Sequence, residues 1–401
     1  MSIFDKYEAF QQRYQMAEMM PKNPLGMRFD EILTPTRARV GEREVILAGT
    51  NNYLGLTFDE EAKAAAKAAI DKHGTGTTGS RMANGSYAEH QDLEQEIADW
   101  LGMENAVVFT TGYQTNLAAI GTLAGPHDLI LIDQDSHASI YDACRMSDAK
   151  MVRFKHNRPD DLDQKLQKHL PETKGAALVV VEGLYSMFGD IAPLHEFAEV
   201  CQRHGAYFFV DEAHSVGVYG EEGRGVAAMQ GVLDKVDFFS GTFSKSLASV
   251  GGFCATRHPE FDRVRGLMRP YTFTASAAPG TIAGTSVTLR KLREGEALRE
   301  NLWERARQLH GGLTELGFEL CADPSPIIAV RRGSDLETVM GWQQLMEAGV
   351  YVNLAVPPAT PKGACLLRLS LSAAHTEEEV STILDAFAQL AKNGAVAVAA
   401  E

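Results

Sequence analysis

Tyr207-Phe208-Phe209-Val210-Asp211-Glu212-Ala213-His214 is an apolar run that ends abruptly in an acid. Farther along, Phe238-Phe239-Ser240-Gly241-Thr242-Phe243-Ser244-Lys245-Ser246 is a second apolar run, ending in hydroxyls and a lysine. Each reads as a buried strand of a parallel sheet whose carboxyl end delivers polar groups, and in open α/β sheets ligands bind at that edge. Taken singly these residues say little: a lysine between serines is usually a solvated charge, and a histidine after an acid is often structural. Together, an acid and a lysine at neighbouring strand ends, with Gly, Thr and Ser between them, are what a pyridoxal phosphate (PLP) site needs. The lysine amine forms a Schiff base with the aldehyde, and the carboxylate keeps the pyridine nitrogen protonated so that the ring accepts electrons.

The surrounding segments fit the same edge. Thr110-Thr111-Gly112-Tyr113-Gln114-Thr115-Asn116 follows a predicted strand and opens a helix, so its backbone N–H groups and positive dipole end suit a phosphate. Asp133-Gln134-Asp135-Ser136-His137-Ala138-Ser139 follows the next strand and offers an imidazole, and Glu182 to Asp190 follows another. Apolar runs at 106–109, 129–132, 176–181, 207–210, 238–240 and 252–255 alternate with helix-length amphipathic stretches. That alternation predicts βα units and a mostly parallel sheet. A long helical stretch over about 279–316 leads into a smaller α+β segment, with strands expected at 327–330, 351–353 and 366–371 and a closing helix at 376–392. The expected division is an N-terminal arm over 1–45, a large domain over 46–290 and a small C-terminal domain over 291–401. In the arm, Ile3, Tyr7, Phe10 and Tyr14 share one helical face, read as packing on the body or on a partner subunit. Transient membrane contact is the weaker reading, because the polar face mixes Asp5 and Glu8 with Lys6 and Arg13, whereas membrane-binding faces are usually basic.

The bulk numbers exclude several classes. With 401 residues the chain has room for two domains, and 45% hydrophobic and 23% charged residues are ordinary globular values. A formal charge of −15 argues against a nucleic-acid partner. No stretch approaches the ~20 apolar residues that span a bilayer, and the N-terminus lacks the order of a signal peptide, so the expected location is cytoplasmic. The five cysteines, Cys144, Cys201, Cys254, Cys321 and Cys365, are odd in number and form no CxxC pair, which suggests reduced thiols and no metal site.

Two motifs mislead. Gly74-Thr75-Gly76-Thr77-Thr78-Gly79 matches a dinucleotide fingerprint literally, but an alanine-rich helical pattern, not a strand, precedes it. Asp211-Glu212-Ala213-His214 mimics the acidic box of a helicase, yet no phosphate-binding G-x-x-x-x-G-K-[ST] loop exists.

Over essentially the whole chain these segments resemble the α-oxoamine synthases, fold-type I PLP enzymes of aminotransferase-like architecture with a mostly parallel central sheet and a smaller C-terminal α+β domain. Asp135 to Asp142, Gly79-Ser80-Arg81-Met82 and Pro357-Pro358-Ala359-Thr360-Pro361 resemble the bacterial branch that transfers a palmitoyl-type acyl group to serine. Phe188 also stands where other branches commonly carry aspartate. The resemblance implies that Lys245 forms the Schiff base, Asp211 pairs with the pyridinium, and His214 and Ser186 hydrogen-bond the ring phenolate. It implies that His137 stacks on the ring. Gly112, Tyr113, Thr242 and Ser244 would hold the phosphate, joined by Thr274 from the partner subunit of a homodimer. Asn52 and Arg368 would meet the substrate, Arg368 as a bidentate clamp on its carboxylate. The implied reaction is decarboxylative condensation of L-serine with a long-chain acyl-CoA, or an acyl carrier protein thioester, to 3-oxosphinganine. A sister synthase using glycine or alanine is the alternative; a non-catalytic PLP-fold protein is disfavoured by the presence of Lys245. Val356 stands where relatives carry an arginine, and Arg28, Arg37, Arg39 and Arg43 are candidates for the polyanionic donor.

Overall fold

The computed structural model describes residues 2–398 apart from 19, 21, 358, 359 and 362, so Pro358 and Ala359 of the Pro-Pro-Ala-Thr-Pro loop lie outside the described residues. The chain divides into two compact units, one of residues 51–303 and one of residues 1–50 with 304–401.

The 51–303 unit is built on seven strands: β1 (Asn105–Phe109), β2 (Leu129–Asp133), β3 (Lys150–Phe154), β4 (Ala177–Glu182), β5 (Tyr207–Asp211), β6 (Phe238–Thr242) and β7 (Gly252–Thr256). Their order across the sheet is β1-β7-β6-β5-β4-β2-β3. The pairs β3–β2, β2–β4, β4–β5 and β5–β6 are parallel, while β7 runs antiparallel to both neighbours. Every residue of β2, β4, β6 and β7 is buried. Continuous Val, Ile, Leu and Phe runs fit that burial, because helices cover both faces of a parallel sheet. Ile130, Ile132, Val180 and Phe209 pack with Ala119, Ile120, Ile140 and Ala143 of the flanking helices in one core cluster.

The edge strand β3, Lys-Met-Val-Arg-Phe, was absent from the sequence expectations. Only Phe154 of it is buried, so it lacks the apolar run that announces the inner strands. The stretch expected as one helix over 279–316 is two, Pro279–Glu294 and Glu296–Glu315. Gly295 caps the first, and a Cβ there would lie 2.6 Å from the Lys291 carbonyl. The helix Glu60–His73 ends at Gly74, whose φ is +81°, so the Gly74–Gly79 stretch follows a helix as expected.

In the other unit, Glu31–Thr34, Arg37–Val40 and Arg43–Leu47, all within or bordering the segment read as an arm, form an antiparallel meander extended by Val350–Tyr351. A second sheet orders Ile327–Arg332, Cys365–Ser370 and Asn353–Ala355. Arg28, Arg37 and Arg39 pair with Asp30, Glu379 and Glu31, which neutralises three of the four arginines considered for a polyanionic donor. The five cysteines are free thiols. Among the described residues no helix is long and apolar enough to cross a membrane.

Candidate active site

The carboxyl edge of the sheet gathers the polar groups. Register sets Glu182 and Asp211, the last residues of β4 and β5, beside Ser240 in the middle of β6, and Asp133 ends β2. Asp211 is buried; its Oδ1 accepts from the Ala213 backbone N–H at 2.9 Å, and its Oδ2 accepts from Asn116 Nδ2 at 2.7 Å.

Lys245 follows Thr242 by one short turn. Phe243 and Leu247 are fully buried on either side of it, and Ser246 Oγ donates to the Val216 carbonyl at 2.6 Å. The turn closes where Ala248 takes a left-handed φ of +51° and donates to the Lys245 carbonyl at 2.9 Å. A residue without glycine's freedom held there marks a loop whose shape is fixed by its surroundings. The lysine is therefore displayed on an anchored loop. Its charge acts on His137 and Glu182, as that of Asp211 does, which places these four groups in one cluster.

The start of helix Gly112–Leu123 closes over the same edge. Thr111 caps it, accepting from Gln114 N–H at 3.1 Å. A Cβ on Gly112 would stand 2.9 Å from Thr242 Cβ and Oγ1, so only glycine lets the helix start approach the end of β6 this closely. Thr242 Oγ1 donates to the Gly251 carbonyl at 3.0 Å and lies 2.9 Å from Ser244 Oγ. Backbone N–H groups of a helix start facing two hydroxyls form an anion cradle. Tyr113 Oη donates to Asp142, and its ring meets the His137 ring edge-on at 6.3 Å.

His137 caps helix Ala138–Met146 and donates its backbone N–H to Glu182 Oε1 at 2.5 Å. The residue is exposed at the strand edge; even so, desolvation lowers its pKa, Asp211 opposes this and Lys245 adds to it. Burial, reinforced by Asp211, pushes the Glu182 carboxyl far up, and its Oε1 holds the loop through the His137 backbone N–H. His214, buried, bonds through Nδ1 to Tyr53 Oη at 2.8 Å. The neighbouring Asn52 donates from Nδ2 to Thr57 Oγ1 at 2.9 Å.

Ser186 sits half-buried in the turn between β4 and residue 191. His156 clamps this turn: its Nδ1 lies 2.9 Å from Asp133 Oδ1 and its Nε2 lies 2.7 Å from Asp190 Oδ2. Burial alone would depress the imidazole, but the two carboxylates outweigh it and hold its pKa at about 10. Thr274 lies with Arg81, His90, Thr110 and Tyr271 around a small cavity. Arg368 belongs to the other unit, buried in strand Cys365–Ser370, where Nη1 donates to Ser370 Oγ at 3.2 Å.

The structure thus brings Asp211, His137 and Lys245 together and sets Thr242 and Ser244 against the helix start at Gly112. Asn116, Glu182 and His156 were not singled out from the sequence. Asn116 could have been found: it lies four residues after Gly112, on the same helical face.

The aminotransferase class I and II family profile matches residues 43–387. A serine palmitoyltransferase of Caulobacter vibrioides is 49% identical over 97% of this chain and 96% of its own length. A structure of Sphingomonas paucimobilis serine palmitoyltransferase with a bound PLP–myriocin aldimine superposes with a TM-score of 0.96 at 44% identity, covering 99% of this chain and all of that one. A high-resolution structure of SPT with its PLP internal aldimine gives a TM-score of 0.95, also at 44% identity, over 98% of this chain and 99% of that one.

Proposed function

This chain belongs to the aminotransferase class I and II family, within it to the α-oxoamine synthases, and we propose that it condenses L-serine with a long-chain acyl thioester, releasing CO2 to give 3-oxosphinganine, the entry reaction of sphingolipid synthesis. The observation that carries the proposal is the cluster of Lys245, Asp211 and His137 at one sheet edge, framed by a helix start and two hydroxyls.

The residues present fit PLP. Gly112 brings the helix start against Thr242 more closely than any side chain would allow, and the buried oxygens Asn52 Oδ1 and Ser136 Oγ have no hydrogen-bond partner among the described residues. In this reading Gly112, Tyr113, Thr242 and Ser244 hold the phosphate. Lys245 holds the aldehyde carbon, Asp211 the ring nitrogen, and His214 with Ser186 the ring oxygen. When bound, PLP supplies the electron-accepting ring that makes the α-carbon of an amino acid acidic.

The chain's own groups do the rest. Asp211, held in place by its two donors, would keep a proton on the ring nitrogen. The Lys245 amine takes the α-proton of serine, a task suited to an uncharged amine held beside its target by an anchored turn. His137 orients the substrate carboxylate, and Arg368 clamps it. The acyl carbon of a CoA or carrier-protein thioester then bonds to the α-carbon as its C–S bond breaks and the thiol leaves, and the serine carboxylate departs as CO2. Thr274 completes the phosphate site across a homodimer interface, and the arm contacts a partner subunit or, transiently, a membrane.

The test is a visible-absorbance titration of PLP-loaded protein with L-serine, glycine and L-alanine, followed by product analysis with palmitoyl-CoA. Selective saturation by serine and a long-chain 3-oxo amine product support the proposal. Preference for glycine or alanine moves the chain to a sister synthase.

A further inference from the structure

Asn116, 2% exposed, makes three side-chain hydrogen bonds whose directions are dictated by their partners. Asp211 Oδ2, 2.7 Å away, can only accept while ionised, so the amide nitrogen faces it. A flipped amide would set its carbonyl oxygen against the carboxylate. Ser240 Oγ donates to Oδ1 at 3.0 Å. The second hydrogen on Nδ2 therefore goes to Ser139 Oγ at 2.9 Å. Having accepted there, the Ser139 hydroxyl turns its own hydrogen to His137 Nδ1 at 2.8 Å, and the Ser139 backbone N–H donates to the same nitrogen at 3.2 Å. A ring nitrogen that accepts in this way carries no proton, so a neutral His137 keeps its hydrogen on Nε2.

We propose that Asn116 is a positioning residue which, acting through Ser139, passes the polarity of the Asp211 charge to His137 and holds that ring as its Nε2–H tautomer. The same carboxylate that serves the cofactor ring thereby sets which end of the imidazole donates. Desolvation favours the neutral ring, with Asp211 opposing and Lys245 assisting. The catalytic consequence rests on the function proposed above: His137 meets an amino-acid carboxylate as a donor through Nε2. The opposite tautomer would aim a lone pair at that carboxylate.

The tautomer can be read without any turnover. Full-length protein is labelled with ring-15N histidine and measured with and without PLP, and His137 is identified by the resonance lost in His137→Gln. Wild type is expected to show Nδ1 bare and Nε2 protonated in both states. Asn116→Ala should admit a detectable Nδ1–H population, whereas Ser139→Thr, which keeps the hydroxyl, should retain the wild-type form. Ser139→Ala breaks the link from the other side, in case Asn116→Ala does not fold, and should also admit the Nδ1–H form. In Asn116→Ala the KM for serine should rise several-fold more than kcat falls. The inference is overturned by an Nδ1–H or doubly protonated ring in wild type, or by a pure Nε2–H ring in both Asn116→Ala and Ser139→Ala. Wild type lacking serine condensation but showing the expected tautomers would sink the proposed function alone; active wild type with the wrong tautomer would sink this inference alone.

Discussion

A methyl group at Gly112 has no room, because its Cβ would stand 2.9 Å from two atoms of Thr242, itself bonded to the Gly251 carbonyl. Gly112→Ala is thus expected to force the helix start away from the hydroxyls and to weaken PLP binding about tenfold, the equivalent of an overpacking cost of roughly 1.4 kcal/mol. Fluorescence titration of the cofactor-free protein measures it; unchanged affinity would show that the phosphate lies elsewhere. Asp211→Asn removes the charge while keeping the shape. It should leave PLP bound but lower kcat on the order of a hundredfold or more, as loss of a preorganised charge does; near-normal turnover would contradict the role assigned to this carboxylate. Asp211 and Lys245 were legible in the sequence only as a pair, an acid and a lysine closing neighbouring apolar runs with Gly, Thr and Ser between them. Asn116 and Glu182 were not. Asn116 finds its carboxylate 95 positions away, and the Glu182 carboxyl is pushed up only because folding buries it beside Asp211; neither partner is visible in one dimension.

Elements inherit the same logic. The inner strands were legible as apolar runs, while β3 escaped because an edge strand needs little apolar surface. The helix break at Gly295 escaped because glycine within a helical pattern is ambiguous until the flanking helices are packed. The turn after β4 owes its placement to His156, which bridges Asp133 of β2 and Asp190 of the turn. Since this imidazole is raised to about 10 in the folded protein, from about 6.5 in an unfolded chain, its ion pairs stabilise fully below the unfolded value. That stabilisation is lost as pH climbs toward 10. Wild type should accordingly lose thermal stability across this alkaline window, and His156→Gln should flatten the loss while lowering the pH 7 melting temperature, because it leaves the fully buried Asp133 charge without its partner. Calorimetric melts at pH 6, 8 and 10 decide it; parallel curves for the two proteins would show that the clamp does not titrate in this range. A milder effect is expected at helix Glu60–His73. There Asp59 caps Ala62 N–H at 2.9 Å and pairs with Lys291 at 2.8 Å, so Asp59→Ala should cost about 1 kcal/mol in denaturant melts.

At the scale of the whole molecule, the proposed site asks one chain to draw part of its phosphate contacts from another. Leu267 and Phe273, both shortly before Thr274 in sequence, are 71% and 74% exposed, and large apolar side chains placed so openly mark a surface that something covers. A second copy is the occupant that would also bring Thr274 to the phosphate of the proposed site. In a twofold dimer each site would draw Lys245 from one subunit and Thr274 from the other. This has a consequence that no single-chain arrangement shares. Lys245→Ala chains keep a good Thr274, and Thr274→Arg chains keep a good Lys245, so each homodimer is inactive on its own. Co-expressed with two different affinity tags and purified as the mixed dimer, the pair rebuilds one intact site out of two, which by twofold symmetry should restore about half of wild-type activity per dimer. If Thr274 served the lysine of its own chain, the mixed dimer would contain no intact site and would stay dead. Recovery measured with serine and palmitoyl-CoA therefore separates a shared site from a self-contained one, and it does so without depending on how tightly the two copies associate.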